Sequence, residues 1–330
     1  MIDFFLLFTP IFFVAFTASA FLMPILLEKL RANAIFDHPN VRSLHALPTP
    51  RGGGLAIMAV LLAGFVIGLA ALGFPEKPLF LLPALLILIG VSWMDDRKGL
   101  GVKIRLAAHF AAAILGQFAL PDTQFLGDLM PFWLERGILV VAWVWFLNLY
   151  NFMDGIDGIT GIETLCILAG AGLLFATTGS ATPIDAALVA LLAGGTAGFL
   201  LFNWPPAKLF LGDVGSIPIG FLLAYFLLKL AFLRPIAALL LPLYYLADSG
   251  ITIVKRAVRR EKIWQPHREH FYQRAASRFG HRTALMWILA CDSGLVLTSI
   301  FFQNHQVIGF VIGASIVTFI LYSLNKIGSR

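Results

Sequence analysis

The stretch that decides the fold lies near the middle of the chain, where residues 137–159 read GILVVAWVWFLNLYNFMDGIDGI. The unbroken apolar run over 137–147 predicts a membrane-spanning helix, because a span in lipid tolerates few charges. The rest of the sequence agrees, since 59% of the 330 residues are hydrophobic and 13% are charged. A soluble protein would carry about 25% charged residues. The chain is therefore predicted to be an all-α, polytopic membrane protein.

Two amides and two carboxylates follow this run at intervals of three residues. At 100° per residue, Asn148, Asn151 and Asp154 would share one side of a helix, and Asp157 would face away. We therefore expect the helix to end near Phe152 and the following glycines to bring Asp157 back round. Such oxygen ligands suit a hard cation such as Mg²⁺. The alternative is a polar helix end exposed to water.

Eleven apolar blocks are candidate spans. They are 4–27, 53–73, 79–94, 106–120, 137–153, 159–178, 185–203, 217–233, 235–254, 283–303 and 306–324. Most of the 24 lysines and arginines fall in alternate loops. The positive-inside rule then predicts an external N-terminus and a cytoplasmic C-terminus. The chain is expected to form one transmembrane domain, 1–330, with cytoplasmic loops at 28–52, 95–105, 148–158, 204–216 and 255–282.

The first cytoplasmic loop contains His45 and Arg51 and ends in three glycines, 52–54. Arginine is well suited to pairing with a phosphate. Glycines allow backbone to approach a ligand closely. A loop whose glycines merely start a helix is the alternative.

Two further loops carry aspartates. Asp95 and Asp96 are adjacent and would repel one another unless a cation lies nearby. That cation could be a bound metal, or simply Arg97 or Lys98. In the fourth loop, residues 212–216 read GDVGS, and the glycines bracket the acid as a tight ion-binding backbone requires. An ordinary turn is the alternative.

The fifth loop is long and basic and contains His267 and His270. On a helix, residues at this spacing share a face. Zinc binding is one interpretation, but the aspartate-rich loops favour Mg²⁺, and histidines also hold phosphates. The basic cluster at 255–260 would contact anionic lipid.

Three acids fall inside apolar blocks. Asp248 is expected to be functional or paired, as acids within a membrane generally are. Glu163 lies near the start of its span and is expected to face the cytoplasm. No role is assigned to Asp292.

Taken together, the loops resemble the polyprenyl-phosphate N-acetylhexosamine-1-phosphate transferases, the glycosyltransferase family 4 enzymes. The matching segments are Pro48 to Gly53, Asp95-Asp96, Asn148 to Gly158, Gly212 to Ser216, and His267 to His270. They occur in the family's order, on one predicted side, over nearly the whole chain. Each motif alone is weak, but five in order are specific.

The resemblance implies a reaction in which undecaprenyl phosphate and a UDP-N-acetylhexosamine give an undecaprenyl-diphosphate sugar and UMP. It implies Mg²⁺, which Mn²⁺ could replace, and a multi-pass protein of the bacterial inner membrane. No nucleic-acid partner is expected. The implied catalytic residues are Asp95, Asp96 and Asp213, and the implied metal ligands are Asn151 and Asp213. The implied substrate-binding residues are His45, Arg51, Asn148, Asp154, Asp157, His267, Arg268 and His270.

Two positions point to a branch of that family. In the peptidoglycan branch the last motif resembles a run of three consecutive histidines. This chain has His267-Arg268-Glu269-His270 at that motif. His45 stands where that branch has a lysine. Both features are more similar to the O-antigen and enterobacterial-antigen branch. The expected sugar is N-acetylglucosamine or a 6-deoxy relative such as N-acetylfucosamine or N-acetylquinovosamine.

Two mechanisms fit such a reaction. The lipid phosphate attacks the nucleotide sugar directly, with Asp95 as a candidate base, or an aspartate forms a covalent intermediate first. A phosphate monoester is largely dianionic at pH 7, which favours direct attack. A secondary transporter of an anionic metabolite is the main alternative, but it predicts polar groups at the bilayer midplane rather than at one face. A CDP-alcohol phosphotransferase is disfavoured, because Asp154 to Ile159 lacks that family's motif.

Overall fold

A computed structural model describes residues 2–39, 44, 47–261 and 268–329. The helices are α1 (Ile2–Ala32), α2 (Gly54–Ala71), α3 (Glu76–Leu79), α4 (Leu81–Lys98), α5 (Val102–Gln117), α6 (Phe132–Phe152), α7 (Ile159–Thr178), α8 (Pro183–Asn203), α9 (Asp213–Ala231), α10 (Pro235–Leu240), α11 (Leu243–Val258), α12 (Phe271–Phe279), α13 (His281–Phe301) and α14 (Gln306–Ser329). Two short antiparallel strands, β1 (Phe36–Asp37) and β2 (Thr49–Pro50), lie between α1 and α2. The prediction of an all-helical polytopic membrane protein is confirmed.

Nine helices in the described part of the chain are long and apolar enough to cross a membrane. Helices α7, α8 and α9 form the centre of the bundle, since 78–83% of their apolar windows are buried, against 11% for α1. Apolar side chains on the outer helices remain exposed, as expected for surfaces that face lipid. The bundle therefore has a buried three-helix core surrounded by lipid-facing helices.

The prediction of eleven long spans was wrong at two places. The predicted span 106–120 is the 16-residue helix α5, which is shorter than the roughly 20 residues of a straight span. It packs antiparallel to α6. The His109 side chain of α5 contacts Asn148 of α6 at 3.1 Å, whereas Gly116 packs against Trp143.

The second discrepancy is the predicted span 235–254. The chain here forms α10 and α11, which are separated at Leu241 and Pro242. Proline has no backbone N–H and its ring clashes with the preceding helical turn, so a helix breaks there. Hydropathy alone does not detect this break, because α10 and the start of α11 are both apolar.

Helix boundaries also place two motifs differently from the prediction. Asp95 and Asp96 lie in the last turn of α4 rather than in a loop, and α9 begins at Asp213. Helix α6 ends at Phe152, as predicted.

The glycine run of the first loop contacts protein backbone rather than open space. The N–H groups of Gly52 and Gly53 donate to the Phe210 carbonyl at 3.0 and 2.9 Å, and Gly54 donates to Leu211 at 2.9 Å. A Cβ at Gly54 would lie 2.2 Å from the Gly215 Cα, so only glycine allows this approach. The run therefore joins the start of α2 to the start of α9.

We expect Gly54→Ala to lower the midpoint of thermal unfolding by several degrees, because a clash of this kind costs about 1–3 kcal/mol. Gly90→Ala in α4 is the matched control, since a Cβ there meets nothing within 4 Å. It should leave the midpoint unchanged or raise it slightly, because alanine is the better helix former. Equal midpoints for the two variants in a detergent thermal-shift measurement would contradict this account of the contact.

Candidate active site

A cavity of about 290 Å³ opens at the end of the bundle where the predicted cytoplasmic loops converge. Its polar lining comes from eight separate elements and loops. These residues are Asp37, Arg51, Asn151, Asp154, Asp157, Asn203, Asp213, Gln273 and His281. Segments far apart in sequence thus meet around one space, as the resemblance implied for the aspartate motifs.

Asp213 and Arg51 form the central ion pair of the cavity. One Asp213 oxygen lies 2.5 Å from the Arg51 guanidinium, and the other lies 4.0 Å from the guanidinium of Arg105. The same Arg51 nitrogen is 2.8 Å from Asp96. Arg51 is therefore held by two carboxylates from α4 and α9, with about a third of its side chain exposed toward the cavity.

Asp96 lies at the N-terminus of α9. Its two oxygens accept hydrogen bonds from the backbone N–H groups of Asp213 and Val214 at 3.1 and 2.9 Å. A carboxylate at a helix N-terminus satisfies unpaired N–H groups and complements the helix dipole. Gly212 adopts φ +77°, and a Cβ there would lie 2.8 Å from Asp96. Asp96 does not line the cavity. Its contacts make it a residue that positions Asp213.

Asp95, the residue before Asp96 in α4, is held in a similar way. One oxygen accepts from the Leu100 N–H at 2.5 Å, and the other from the Arg105 guanidinium at 2.9 Å. Asp95 also lies outside the cavity lining. Neither of the paired aspartates implied to be catalytic reaches the cavity directly.

Asn151 lies in the last turn of α6, Asp154 follows the end of that helix, and both line the cavity. The Asn151 side-chain oxygen accepts from the Ser216 hydroxyl of α9, and an Asp154 oxygen accepts from the Thr160 hydroxyl of α7, both at 2.5 Å. Burial raises the pKa of Asp154 to about 6, although the Thr160 hydrogen bond opposes the shift. These contacts fix two oxygen donors at the cavity wall.

Asp157 returns to the same cavity, as the sequence predicted. One of its oxygens lies 3.1 Å from His281 Nδ1 and accepts from the Ala207 N–H at 3.0 Å. The adjacent Gly158 N–H donates to the Asn203 side chain at 2.8 Å. The loop between α6 and α7 is thus held by contacts from α8, α13 and the 204–212 segment.

Asn148 is not brought into the cavity. Its side-chain amide donates to the Val144 carbonyl at 2.7 Å and contacts His109 at 3.1 Å. These contacts join α5 to α6, and the substrate-binding role implied for Asn148 stays a prediction.

His270 is also directed away from the cavity. It is buried at the N-cap of α12, with Nδ1 3.0 Å from Asp248, so it is not on a helix as expected. Asp248 also accepts from the Phe271 and Tyr272 N–H groups at 3.1 and 3.3 Å. Asp248 therefore caps α12. Arg268 is half-buried and outside the cavity lining.

Two of the implied substrate-binding residues, His45 and His267, lie outside the described residues. Other cavity residues were missed by the sequence interpretation. These are Asp37, Asn203, Gln273 and His281. Asn203 and His281 stand at helix ends beside the recognised loops, which is the signal that could have identified them.

The donor set fits Mg²⁺. Four aspartates line the cavity against one arginine, and their carboxylates, with the side-chain oxygens of Asn151 and Asn203, are hard oxygen donors. Mg²⁺ is usually held by one or two carboxylates together with substrate phosphates and water. Consistently, the described residues contain no group of three or more acidic, His or Cys side chains that would hold a metal alone.

The fold and this cavity define a class, that of polytopic membrane proteins with an acidic cavity at one end of the helical bundle. The family model for glycosyl transferase family 4 matches residues 78–231. The chain is 30% identical over 334 residues to a decaprenyl-phosphate N-acetylglucosaminephosphotransferase of Mycolicibacterium smegmatis, covering 87% of this chain and 80% of that protein.

Two other relatives extend this comparison. A probable undecaprenyl-phosphate N-acetylglucosaminyl 1-phosphate transferase of Bacillus subtilis is 27% identical, covering 83% of this chain and 80% of the relative. A phospho-N-acetylmuramoyl-pentapeptide-transferase of Synechococcus elongatus is 29% identical, covering 78% of each chain. The chain belongs to the polyprenyl-phosphate N-acetylhexosamine-1-phosphate transferases of glycosyl transferase family 4. This membership sets aside the transporter alternative.

The raised pKa of Asp154 predicts a stability effect. The folded protein holds this proton more tightly than the unfolded chain, so the ionised carboxylate costs stability as pH rises from about 4 through 6. Without divalent cation, Asp154→Asn should therefore raise the thermal midpoint by a few degrees at pH 7.5. The difference should shrink at pH 5, where Asp154 is largely protonated. A midpoint difference that does not change with pH would refute this interpretation.

Proposed function

We propose that this protein transfers N-acetylglucosamine 1-phosphate from UDP-N-acetylglucosamine to undecaprenyl phosphate. The products are undecaprenyl-diphosphate N-acetylglucosamine and UMP. The observation that carries the proposal is the acidic cavity in which Asp213, Asn151 and Asp154 surround the single arginine Arg51.

The charge of the cavity explains why a cation is needed. A diphosphate brings further negative charge to a space lined by four aspartates. Like charges at this range repel strongly where water is scarce. When bound, Mg²⁺ would neutralise the diphosphate, with Asp213 and Asn151 as its proposed protein ligands. Mn²⁺ has similar ligand preferences and should substitute.

The remaining cavity residues would hold the nucleotide sugar. Arg51 presents a guanidinium that suits a phosphate oxygen. Asp154 and Asp157 would accept hydrogen bonds from the nucleotide. His281, fixed by Asp157, lies beside them at the cavity wall.

We favour direct attack by the lipid phosphate over a covalent route. A phosphate monoester is largely dianionic at pH 7, so it needs no strong base. Asp95, the candidate base, lies outside the cavity lining, with its oxygens engaged by the Leu100 N–H and Arg105. Catalysis then rests on positioning and charge neutralisation, as in phosphoryl transfer generally.

The basic loops support a cytoplasmic location for the cavity. The loops that converge on it hold most of the lysines and arginines, and such loops remain on the cytoplasmic side. UDP-sugars are cytoplasmic, and the phosphate of the lipid acceptor would lie at the inner leaflet. We therefore propose a bacterial inner-membrane enzyme with its active site facing the cytoplasm.

Two relatives are named for N-acetylglucosamine, which makes that sugar the first choice. The His267-Arg268-Glu269-His270 motif favours the O-antigen and enterobacterial-antigen branch over the peptidoglycan branch. N-acetylfucosamine and N-acetylquinovosamine are 6-deoxy relatives that belong in the same assay panel. In this role the enzyme would initiate a cell-surface polysaccharide.

Purified protein in detergent, supplied with Mg²⁺ and undecaprenyl phosphate, should move label from a UDP-N-acetylhexosamine into the organic phase and release UMP. EDTA should abolish the transfer. Asp213→Asn should reduce it by at least about 100-fold, because it removes the carboxylate proposed to hold the Mg²⁺ that neutralises the diphosphate. Folded protein that transfers none of the sugars would refute the proposed function.

Asp122→Asn is the matched control. The Asp122 carboxylate is exposed and lies in the connection between α5 and α6, away from the cavity. It pairs with Lys77 of α3. Transfer should remain at the wild-type rate, so a loss comparable with that of Asp213→Asn would indicate a general effect of removing an acid.

Direct attack makes a separate prediction about exchange. Without any lipid acceptor, labelled UMP should not be incorporated into UDP-sugar. A covalent phospho-sugar intermediate would allow that incorporation. Exchange that persists after rigorous delipidation would therefore exclude direct attack.

A further inference from the structure

Two acids lie deep in the bundle without any donor from another group. Glu163 of α7 and Asp292 of α13 are 0% and 1% exposed, and their carboxyl groups lie within hydrogen-bonding reach of each other. In the described part of the chain, no other side chain or backbone group donates to any of their four oxygens. The expectation that Glu163 faces the cytoplasm was wrong.

The other buried acids are satisfied in ways that this pair is not. Glu135 accepts from two backbone N–H groups, at 2.8 and 2.7 Å. Asp185 pairs with Lys229 at 2.6 Å, and Asp248 caps α12. Two facing carboxylates without a cation would cost far more than any of these arrangements.

Among the residues that the structure describes, the groups around the pair supply no positive charge. The titratable side chains that face the pair from neighbouring elements are Cys166 of α7, Cys291 of α13, Tyr150 of α6, and Tyr244 and Tyr245 of α11. Thiols and phenols are ordinarily neutral at pH 7. The pair must therefore be neutralised by something it binds itself.

We infer that Glu163 and Asp292 share a proton at neutral pH, and that this carboxyl–carboxylate hydrogen bond ties α7 to α13 beneath the cavity. Two facing carboxyl groups commonly retain one proton between them, because like charges at contact cannot both persist. No cysteine or histidine completes a metal site with them among the described residues. A proton is thus the smallest ligand that satisfies the geometry.

The position of the pair connects it to the cavity. Thr160, one helical turn before Glu163, donates to Asp154, and the Tyr150 hydroxyl contacts both Thr160 and Thr164. His281, which holds Asp157, is the first residue of the helix that carries Asp292. The shared proton therefore joins the two helices whose ends present Asp154 and His281.

Infrared difference spectroscopy tests the proton itself. At pH 7.5 the wild-type protein should show a protonated-carboxyl C=O band that is absent from Glu163→Gln/Asp292→Asn. Asp185→Asn is the matched control and should leave the band, because Asp185 is buried but paired with Lys229 rather than with another carboxyl group. Absence of the band from wild-type protein would overturn the proposal. So would its removal by Na⁺, K⁺ or Mg²⁺, which would indicate a metal site.

The role of the Glu163–Asp292 pair in positioning the cavity residues rests on the proposed transferase activity, and a separate measurement tests it. Glu163→Gln/Asp292→Asn retains a hydrogen bond and should keep KM for the nucleotide sugar within about threefold of wild type. Glu163→Leu/Asp292→Leu removes it and should raise KM by at least about tenfold, because small displacements of binding groups are costly. Equal KM values for the two double variants would overturn the positioning role. The infrared result stands even if no sugar is transferred.

Discussion

The carboxylate of Asp96 at the N-terminus of α9 is the contact on which the rest of the cavity depends. It accepts from two backbone N–H groups of α9 and pairs with Arg51 at the start of α2. Three elements are fixed at one point, and Asp213 is directed inward by the same arrangement. A residue that never faces the cavity thus determines where its central acid stands, which is the relation expected between a binding group and its supporting contacts.

The sequence predicted the cavity residues that local spacing along the chain identifies. Asn151, Asp154 and Asp157 follow an apolar span at helical spacing, and loops on one membrane side must converge. The sequence could not predict the side-chain positions that tertiary contacts decide. Nothing local shows that Asp96 would cap a distant helix, or that His270 would turn inward to Asp248. Side-chain depth depends on packing partners that periodicity does not reveal.

The two failures among the spans have a similar origin. Hydropathy counts apolar residues, and it reported α10 and α11 as one segment although Pro242 interrupts the helix. It also reported 106–120 as a span, whereas α5 has 16 residues, too few for a straight span. Packing against α4 and α6 holds this short helix in the bundle.

The excess of acid around Arg51 has a thermodynamic consequence. A cation and a phosphate ligand that meet among four aspartates must each raise the affinity of the other by the same factor, because the coupling free energy is reciprocal. Neither should bind tightly alone, since the cation lacks a full coordination shell and the phosphate meets uncompensated charge. Departure of one partner then loosens the other. The acidity of the cavity would thus make the binding of the cation and the phosphate cooperative.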